Sequence, residues 1–180
     1  TGAYAGILNG GRSVAPYGLQ ELRLQGETTP LMGQAGGMGE RVISEAAAYQ
    51  LVFMMHQVVT SGTGGRAALP DREAAGKTGT TQAARDAWFV GFTADYVAGV
   101  WMGYDDNTPL QGVTGGGLPA EIWKETMTRV HDGIPASPLP ILLPPQRVAE
   151  TRPRNQSSRQ QNPIDRVIQD VFGQLFGRKN

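Results

Sequence analysis

One short run of this sequence has the residue types of a binding or catalytic site. Residues 76–81 read Gly-Lys-Thr-Gly-Thr-Thr, so one lysine and three threonine hydroxyls are close together. Two unrelated chemistries are compatible with such a run. It can close a phosphate-binding loop at the start of a helix, or it can form a strand whose lysine and hydroxyl groups hold a carboxylate.

The spacing argues against the phosphate-binding loop. That motif needs a glycine five positions before Gly76, where this chain has Asp71, and a helix that begins at the lysine. The β-branched pair after Gly79 favours a strand instead. In a strand beside a cleft, Lys77 supplies a point charge for a carboxylate and Gly79 leaves room for a ligand against the backbone. A free backbone N–H there can donate to an oxyanion.

Three short segments around this run have the composition of β-strands. They are residues 74–81, 87–93 and 96–104. Only two residues separate the second segment from the third, which indicates a hairpin of adjacent antiparallel strands. We therefore predict that the lysine lies in an antiparallel sheet.

Two helices are predicted to flank this sheet. The first begins after Ser44, a favourable N-cap, and ends before Gly62, with apolar residues at helical spacing between them. The second follows Pro119, which suits the first turn of a helix. Residues 12–27 are predicted to form a strand or hairpin, and residues 31–40 a glycine-rich loop.

Composition argues against several other classes of site. There is no cysteine, which excludes disulfides and thiolate metal sites, and the 16 basic and 16 acidic residues balance, so no global charge points to nucleic acid. No metal site is predicted, because the candidate aspartates lack a spaced ligand set and are predicted to be turn residues: Asp86, Asp105 and Asp106. The tryptophans are predicted to be core residues: Trp88, Trp101 and Trp123.

The C-terminal part of the chain has a different composition. Residues 134–163 are rich in Pro, Gln and Arg, which predicts a linker or tail. Residues 164–178 predict a short amphipathic helix, because apolar side chains recur on one stripe from Ile164 to Phe176. Such a helix can dock on the domain itself, on another protein or on a membrane. Asp165 and Asp170 favour a protein over lipid.

Several motifs in order resemble the transpeptidase domain of penicillin-binding proteins, in particular the C-terminal part of this domain in the bifunctional class A enzymes. The similarity extends over residues 1–133. The motifs that carry it are "NGG", "GTGGRA", "KTGTT" from Lys77, "DAWFVGFT" from Asp86, "VWMGYDD" from Val100, "TGGG" from Thr114, and Pro119 with Ile122-Trp123 beyond.

The resemblance implies a fold and an activity. The implied fold is α+β and β-lactamase/transpeptidase-like, with an antiparallel sheet flanked by helices and, in this chain, a disordered tail. The implied activity is that of a serine-type D-Ala-D-Ala transpeptidase or carboxypeptidase. A serine is acylated by the D-Ala-D-Ala end of a peptidoglycan stem peptide, or by a β-lactam, and the acyl group passes to an amine of a neighbouring strand. Neither a cofactor nor a nucleic acid is implied.

The resemblance also implies roles for the lysine run. Lys77 would contact the substrate carboxylate and act in catalysis, and the hydroxyl groups of Thr78 and Thr80 would donate to that carboxylate. The Thr80 backbone N–H would form half of an oxyanion hole, and Gly79 would leave room for the substrate beside the strand.

One departure from the family pattern bears on activity. The family also uses an S-x-x-K and an S-x-N motif, and no serine of this chain stands in either motif. We therefore expect the chain alone to be inactive. Because it begins without methionine, inside an expected helix, we also expect it to be a piece of a longer protein.

The resemblance places that longer protein at the periplasmic face of the bacterial inner membrane, anchored to it. The helix from Ile164 to Phe176 would then be a contact for a cell-wall synthesis protein. Two alternatives stay open. One is a serine β-lactamase-like hydrolase, and the other is a non-catalytic pseudoenzyme or assembly module.

Overall fold

The structure is a computed structural model that describes residues 1–33 and 37–144. In these ranges the chain forms three helices and seven strands, with short 3-10 turns at Gly65–Ala67 and Gln82–Ala84. The helices are α1 (Gly2–Leu8), α2 (Glu45–Thr60) and α3 (Leu118–Val130). The strands are β1 (Arg12–Val14), β2 (Glu21–Leu22), β3 (Met32–Gly33), β4 (Met38–Arg41), β5 (Ala75–Thr80), β6 (Asp86–Phe92) and β7 (Val97–Gly103).

Strands β5, β6 and β7 form an antiparallel sheet in that order. Strands β5 and β7 lie within the predicted β segments, β6 begins one residue before its segment, and β6 pairs with β7 as the predicted hairpin. In the middle of the sheet, Gly79 of β5 faces Trp88 of β6, which in turn faces Trp101 of β7. Because directly opposite residues of an antiparallel pair point to the same side, these three residues share one face of the sheet.

Each face of the sheet has its own apolar cluster. On one face, α3 buries Trp123 and Met127 against Phe89 of β6, and the rings of Phe89 and Trp123 meet edge to face at 5.2 Å. On the other face, Val52 of α2 packs with Phe92 in a cluster that also includes residues of α1. Side chains alternate between the two faces along β6, so Phe89 and Phe92 point to opposite faces. The sheet therefore separates the two clusters.

Helix α2 forms where its sequence pattern predicts it. The Ser44 hydroxyl accepts a hydrogen bond from the Ala47 N–H at 3.3 Å, which satisfies one of the free N–H groups at the helix start. The buried residues of α2 recur every three or four positions: Ala48, Val52, Met55 and Val59. This face packs against β5, so the helix supports the strand that contains Lys77.

The prediction of a glycine-rich loop at residues 31–40 is wrong. This segment contains β3 and most of β4, and β4 pairs with β1 in one two-stranded sheet while β3 pairs with β2 in another. The partners of β4 are more than twenty positions away, as in the pair Arg12–Arg41. The glycines favour a loop locally, but pairing with a distant strand satisfies the backbone hydrogen bonds of this segment.

The compact unit described by the structure spans Thr1–Pro144, so it extends past the boundary expected at residue 133. Leu139 is only 5% exposed and belongs to the cluster that contains Phe92. Its backbone N–H donates to the Glu73 carboxylate at 2.8 Å. The first part of the predicted linker therefore packs on the domain. The rest of it and the predicted helix at 164–178 lie outside the described residues.

Candidate functional site

The strand that contains Lys77 lies at one end of the three-stranded sheet. The Thr81 N–H donates to the Asp86 carbonyl at 3.0 Å, which sets the hydrogen-bonding alternation of the β5–β6 ladder. In an antiparallel ladder every second residue bonds to the partner strand. The N–H and C=O groups of Thr78 and Thr80 therefore point away from β6. In the described part of the chain no strand pairs with that edge of β5.

The hydroxyl groups of the two threonines lie on the α3 side of the sheet. The Thr78 Oγ1 is 2.8 Å from the Thr63 Oγ1, and the Thr80 Oγ1 accepts a hydrogen bond from the Gly115 N–H at 3.0 Å. Because Thr80 accepts this bond, its own hydroxyl hydrogen stays available for donation. In the Thr63–Thr78 pair only one hydroxyl donates to the other, so one hydrogen is also left there. Two hydroxyl donors are thus available beside the edge of β5.

The glycine-rich loop at residues 114–117 packs directly on the β5–β6 backbone. A side chain at Gly115 would overlap the carbonyl oxygens of Gly79 and Trp88, and its Cβ would lie 2.8 Å from the Gly79 nitrogen. At Gly116 a Cβ would overlap the Thr63 carbonyl oxygen. Glycine is therefore required where this loop meets the strand, and the loop sets the position of the Thr80 hydroxyl.

Lys77 points to the opposite face of the strand from the two threonines. Its side chain is exposed, and its Nζ donates to the Thr78 carbonyl oxygen at 2.7 Å. That carbonyl is one of the groups that point away from β6, so the ammonium group lies beside the unpaired edge of β5. A carboxylate that binds there would replace the carbonyl as the partner of Lys77.

The prediction that all three tryptophans are core residues is wrong for two of them. Trp123 is fully buried, whereas Trp88 and Trp101 are each 44% exposed. The helices α1 and α2 cover the Phe92 end of the sheet face that contains Trp88 and Trp101. Neither tryptophan belongs to the apolar cluster that these helices form with Phe92. The turn assignment of Asp86 is also wrong, because Asp86 is the first residue of β6.

The other two candidate aspartates lie in a turn, as predicted. The Asp106 carboxylate accepts a hydrogen bond from the Thr108 N–H at 3.0 Å, and this bond lowers the pKa of Asp106. Among residues 1–33 and 37–144, no group of histidines and acidic residues has the arrangement of a metal site. Within the same ranges, no helix combines the length and apolar character that crossing a bilayer requires.

A second group of polar side chains lies at the far end of the sheet. His131 is buried and contacts the Thr93 hydroxyl through Nε2 at 2.8 Å. Arg72 contacts Asp71 and, at 3.8 Å, Asp95, and the hydrogen bond from Arg72 lowers the pKa of Asp71. These contacts connect the β6–β7 turn with α3 and with the segment before β5. They do not reach the edge of β5 that contains Lys77.

Comparison with known proteins identifies the family of this chain. The family described as penicillin binding protein transpeptidase domain matches residues 1–128, which is most of the chain. The chain belongs to the penicillin-binding protein transpeptidase family. The resemblance and the α+β fold expected from the sequence are thereby confirmed.

Individual relatives agree with this assignment. The chain is 35% identical to penicillin-binding protein 1A of Neisseria lactamica over 140 residues, which is 74% of this chain and 17% of that protein. It is 34% identical to penicillin-binding protein 1A of Aquifex aeolicus over 149 residues, which is 82% of this chain and 20% of that protein. The chain thus spans about a fifth of the length of these two relatives.

Solved structures show the same fold. The crystal structure of penicillin-binding protein 1A from Haemophilus influenzae superposes with a TM-score of 0.64 at 25% identity, over 80% of this chain and 27% of that one. The D,D-transpeptidase domain of a peptidoglycan glycosyltransferase from Eggerthella lenta gives a TM-score of 0.57 at 26% identity, over 73% of this chain and 31% of that one.

The structure brings the four predicted site residues, Lys77 to Thr80, to one sheet edge, and it adds two residues that sequence reasoning did not place there. Thr63 pairs with Thr78 from the loop after α2, and Gly115 donates to Thr80. Both belong to motifs that resemble the family, "GTGGRA" and "TGGG". The order of the motifs along the chain does not reveal which of them meet.

Proposed function

We propose that this chain forms the carboxylate-binding wall of a peptidoglycan D,D-transpeptidase centre. The observation that carries the proposal is the unpaired edge of β5, where the Lys77 ammonium group and the outward-pointing backbone groups of Thr78 and Thr80 lie together. A peptide or β-lactam carboxylate next to this edge would meet a positive charge and two hydroxyl donors. Charge-assisted hydrogen bonds of this kind are stronger than neutral ones.

Each group of the edge has a role in the proposed reaction. Lys77 leaves the Thr78 carbonyl and pairs with the terminal carboxylate of a D-Ala-D-Ala peptide or with that of a β-lactam. The Thr78 and Thr80 hydroxyl groups donate to the same carboxylate. The Thr80 N–H stabilises the oxyanion that develops when a serine attacks the substrate carbonyl. The glycine loop holds the Thr80 hydroxyl through Gly115.

The proposed reaction needs a serine in an S-x-x-K motif, and no serine of this sequence stands in one. The test is therefore a chimera of penicillin-binding protein 1A from Neisseria lactamica, in which this chain replaces the matching stretch of the relative. We expect the chimera to form a covalent adduct with fluorescent penicillin that survives denaturing electrophoresis. This chain alone should form none.

Three outcomes discriminate the proposal from its alternatives. A chimera that melts cooperatively yet is not labelled would favour the non-catalytic assembly module. A label that forms and is then rapidly hydrolysed would favour the β-lactamase-like hydrolase. Labelling of this chain alone would contradict the proposal that the nucleophilic serine lies outside this chain. As a control, replacing the S-x-x-K serine of the chimera with alanine should abolish the label.

We also propose that the chain acts at the periplasmic face of the inner membrane, in a membrane-anchored protein, and that the apolar stripe from Ile164 to Phe176 contacts a cell-wall synthesis protein. A peptide of residues 160–180 should be largely unstructured by circular dichroism in buffer, because a helix this short is marginal in water. Anionic vesicles should change its spectrum little. Strong helix induction by vesicles, lost at high salt, would show that lipid and not protein is the partner.

A further inference from the structure

Two exposed tryptophans stand side by side on the face of the sheet that also contains Lys77. Trp88 and Trp101 face each other across the β6–β7 ladder, with ring centroids 6.2 Å apart and ring planes at 45°. Each is 44% exposed, which is unusual for side chains of this size. Beside them on β5 lies Gly79, so no side chain shields the Trp88 ring from the unpaired edge.

Hydrogen bonds fix the orientation of the Trp101 ring despite its exposure. The Trp101 indole N–H donates to the Asp86 Oδ1 at 3.0 Å. The Thr81 hydroxyl in turn holds Asp86, because it accepts from the Asp86 N–H at 2.8 Å and contacts the Asp86 Oδ2 at 3.3 Å. Gly103 leaves the space that the Trp101 ring occupies, since a Cβ there would lie 2.5 Å from Cζ2 of that ring.

The electrostatics of the pair favour a positive ligand. The faces of indole rings are negative, and tryptophan is the aromatic side chain that attracts cations most strongly. The Asp86 carboxylate adds a full negative charge and polarises the Trp101 ring through its N–H bond. The Asp86 carboxylate accepts two hydrogen bonds from the protein. A carboxylate has roughly four acceptor positions, so positions remain for a ligand.

The two charged residues Asp86 and Lys77 lie on this face, one on each side of the aromatic pair. Asp86 precedes Trp88 by two positions on β6, and Lys77 precedes Gly79 by two positions on β5. Because the strands are antiparallel, the Cα atoms of Asp86 and Lys77 lie on opposite sides of the aromatic pair, each about 7 Å along the strands from it. A ligand with a carboxylate and an ammonium group would fit this arrangement, with the carboxylate at Lys77 and the ammonium group towards Asp86.

We propose that Trp88, Trp101 and Asp86 form a binding site for a primary ammonium group. An alkyl amine has a pKa of about 10.4 in water, so it enters such a site as a cation at neutral pH. The source of the ligand rests on the proposed function: the acyl acceptor of a transpeptidase is an amine of a neighbouring stem peptide. The aromatic pair would hold this amine as its ammonium form, next to the strand that holds the carboxylate of the donor peptide.

The test is a nuclear magnetic resonance titration of the full chain, followed at the indole N–H signals. The probes are Nα-acetyl-lysine methylamide and the same compound acetylated at Nε, which has the same alkyl chain but an uncharged amide in place of the ammonium group. We expect saturable shifts of the Trp88 and Trp101 signals with the charged probe alone, and no shift of the buried Trp123 signal. Affinity should be weak, because exposed cation–π contacts are individually modest.

Substitutions identify the groups that bind the probe. Asp86→Asn keeps an oxygen for the Trp101 N–H and removes the charge, and we expect it to weaken binding about two- to fivefold, the factor that one exposed ion pair contributes. The control Asp132→Asn removes the same charge next to His131, which contacts Thr93 beyond the other end of β6, and should leave binding within twofold. Because neither probe has a carboxylate, their binding tests this site separately from carboxylate binding at Lys77.

Equal shifts by both probes would overturn the assignment and would show an apolar surface that binds alkyl chains. The absence of a saturable shift would overturn it as well. If Asp86→Asn loses the native spectrum, the comparison of the two probes on the unchanged chain still decides the question. Trp101→Phe, which keeps an aromatic face, should then retain part of the preference for the charged probe.

Discussion

Replacing Lys77 with alanine in the Neisseria lactamica chimera should slow acylation by fluorescent penicillin about 10²–10³-fold. Removal of one preorganised donor at such a site raises the barrier by about 2.7–4 kcal/mol. In the structure the Lys77 ammonium group already lies at the unpaired edge of β5, bonded to the Thr78 carbonyl. Single-turnover labelling rates at subsaturating penicillin measure the loss directly.

A matched control is available in the same chain. Lys124 is exposed on α3, which packs on the other face of the sheet, and Lys124→Ala removes the same charge. This variant should label at the rate of the unchanged chimera. If Lys77→Ala also labels at that rate while both variants melt alike, the edge of β5 is not the wall of the reacting site.

Gly115→Ala should lower the free energy of unfolding of the chain by about 3 kcal/mol or more. The new Cβ would overlap the carbonyl oxygens of Gly79 and Trp88, which are backbone atoms of paired strands and cannot rotate away. Relief of the overlap requires the loop at residues 114–117 to move off the sheet. Urea denaturation followed by tryptophan fluorescence measures the change.

The same movement would remove the hydrogen bond from the Gly115 N–H to the Thr80 hydroxyl, so the variant should also label slowly in the chimera. Gly18→Ala is the control, because a Cβ at Gly18 meets nothing within 4 Å. It should change the free energy of unfolding by less than about 0.5 kcal/mol. If the two alanine variants were equally stable, the close approach of the loop to the strand would not exist in solution.

Local patterns along the sequence were sufficient to predict the elements that carry the site. The Ser44 cap and the helical spacing after it predict α2, and the short connection at Ala94 and Asp95 predicts the β6–β7 hairpin. The strand that contains Lys77 follows from its β-branched threonines and from the failure of the phosphate-loop spacing. In each case the residues that decide the structure are within a few positions of one another.

The strand of the lysine run could be predicted from the sequence, whereas the orientation of its backbone groups could not. The β-branched residues of the lysine run predicted a strand and the resemblance predicted the family, and both predictions are confirmed. The alternation that turns the Thr80 N–H outwards depends on the register with β6, which is set by the bond from the Thr81 N–H to Asp86. A shift of one residue would have directed the same groups into the sheet.

The sequence by itself determined the helices, the three central strands and the family of this protein. Only the tertiary structure decided that Thr63 meets Thr78, that Gly115 meets Thr80, and that Leu139 docks beside Glu73, contacts that join residues 15, 35 and 66 positions apart. It also decided that Trp88 and Trp101 stay exposed. Local propensity concerns neighbours in the chain, whereas burial and pairing depend on which distant surfaces meet, and composition alone does not encode that choice.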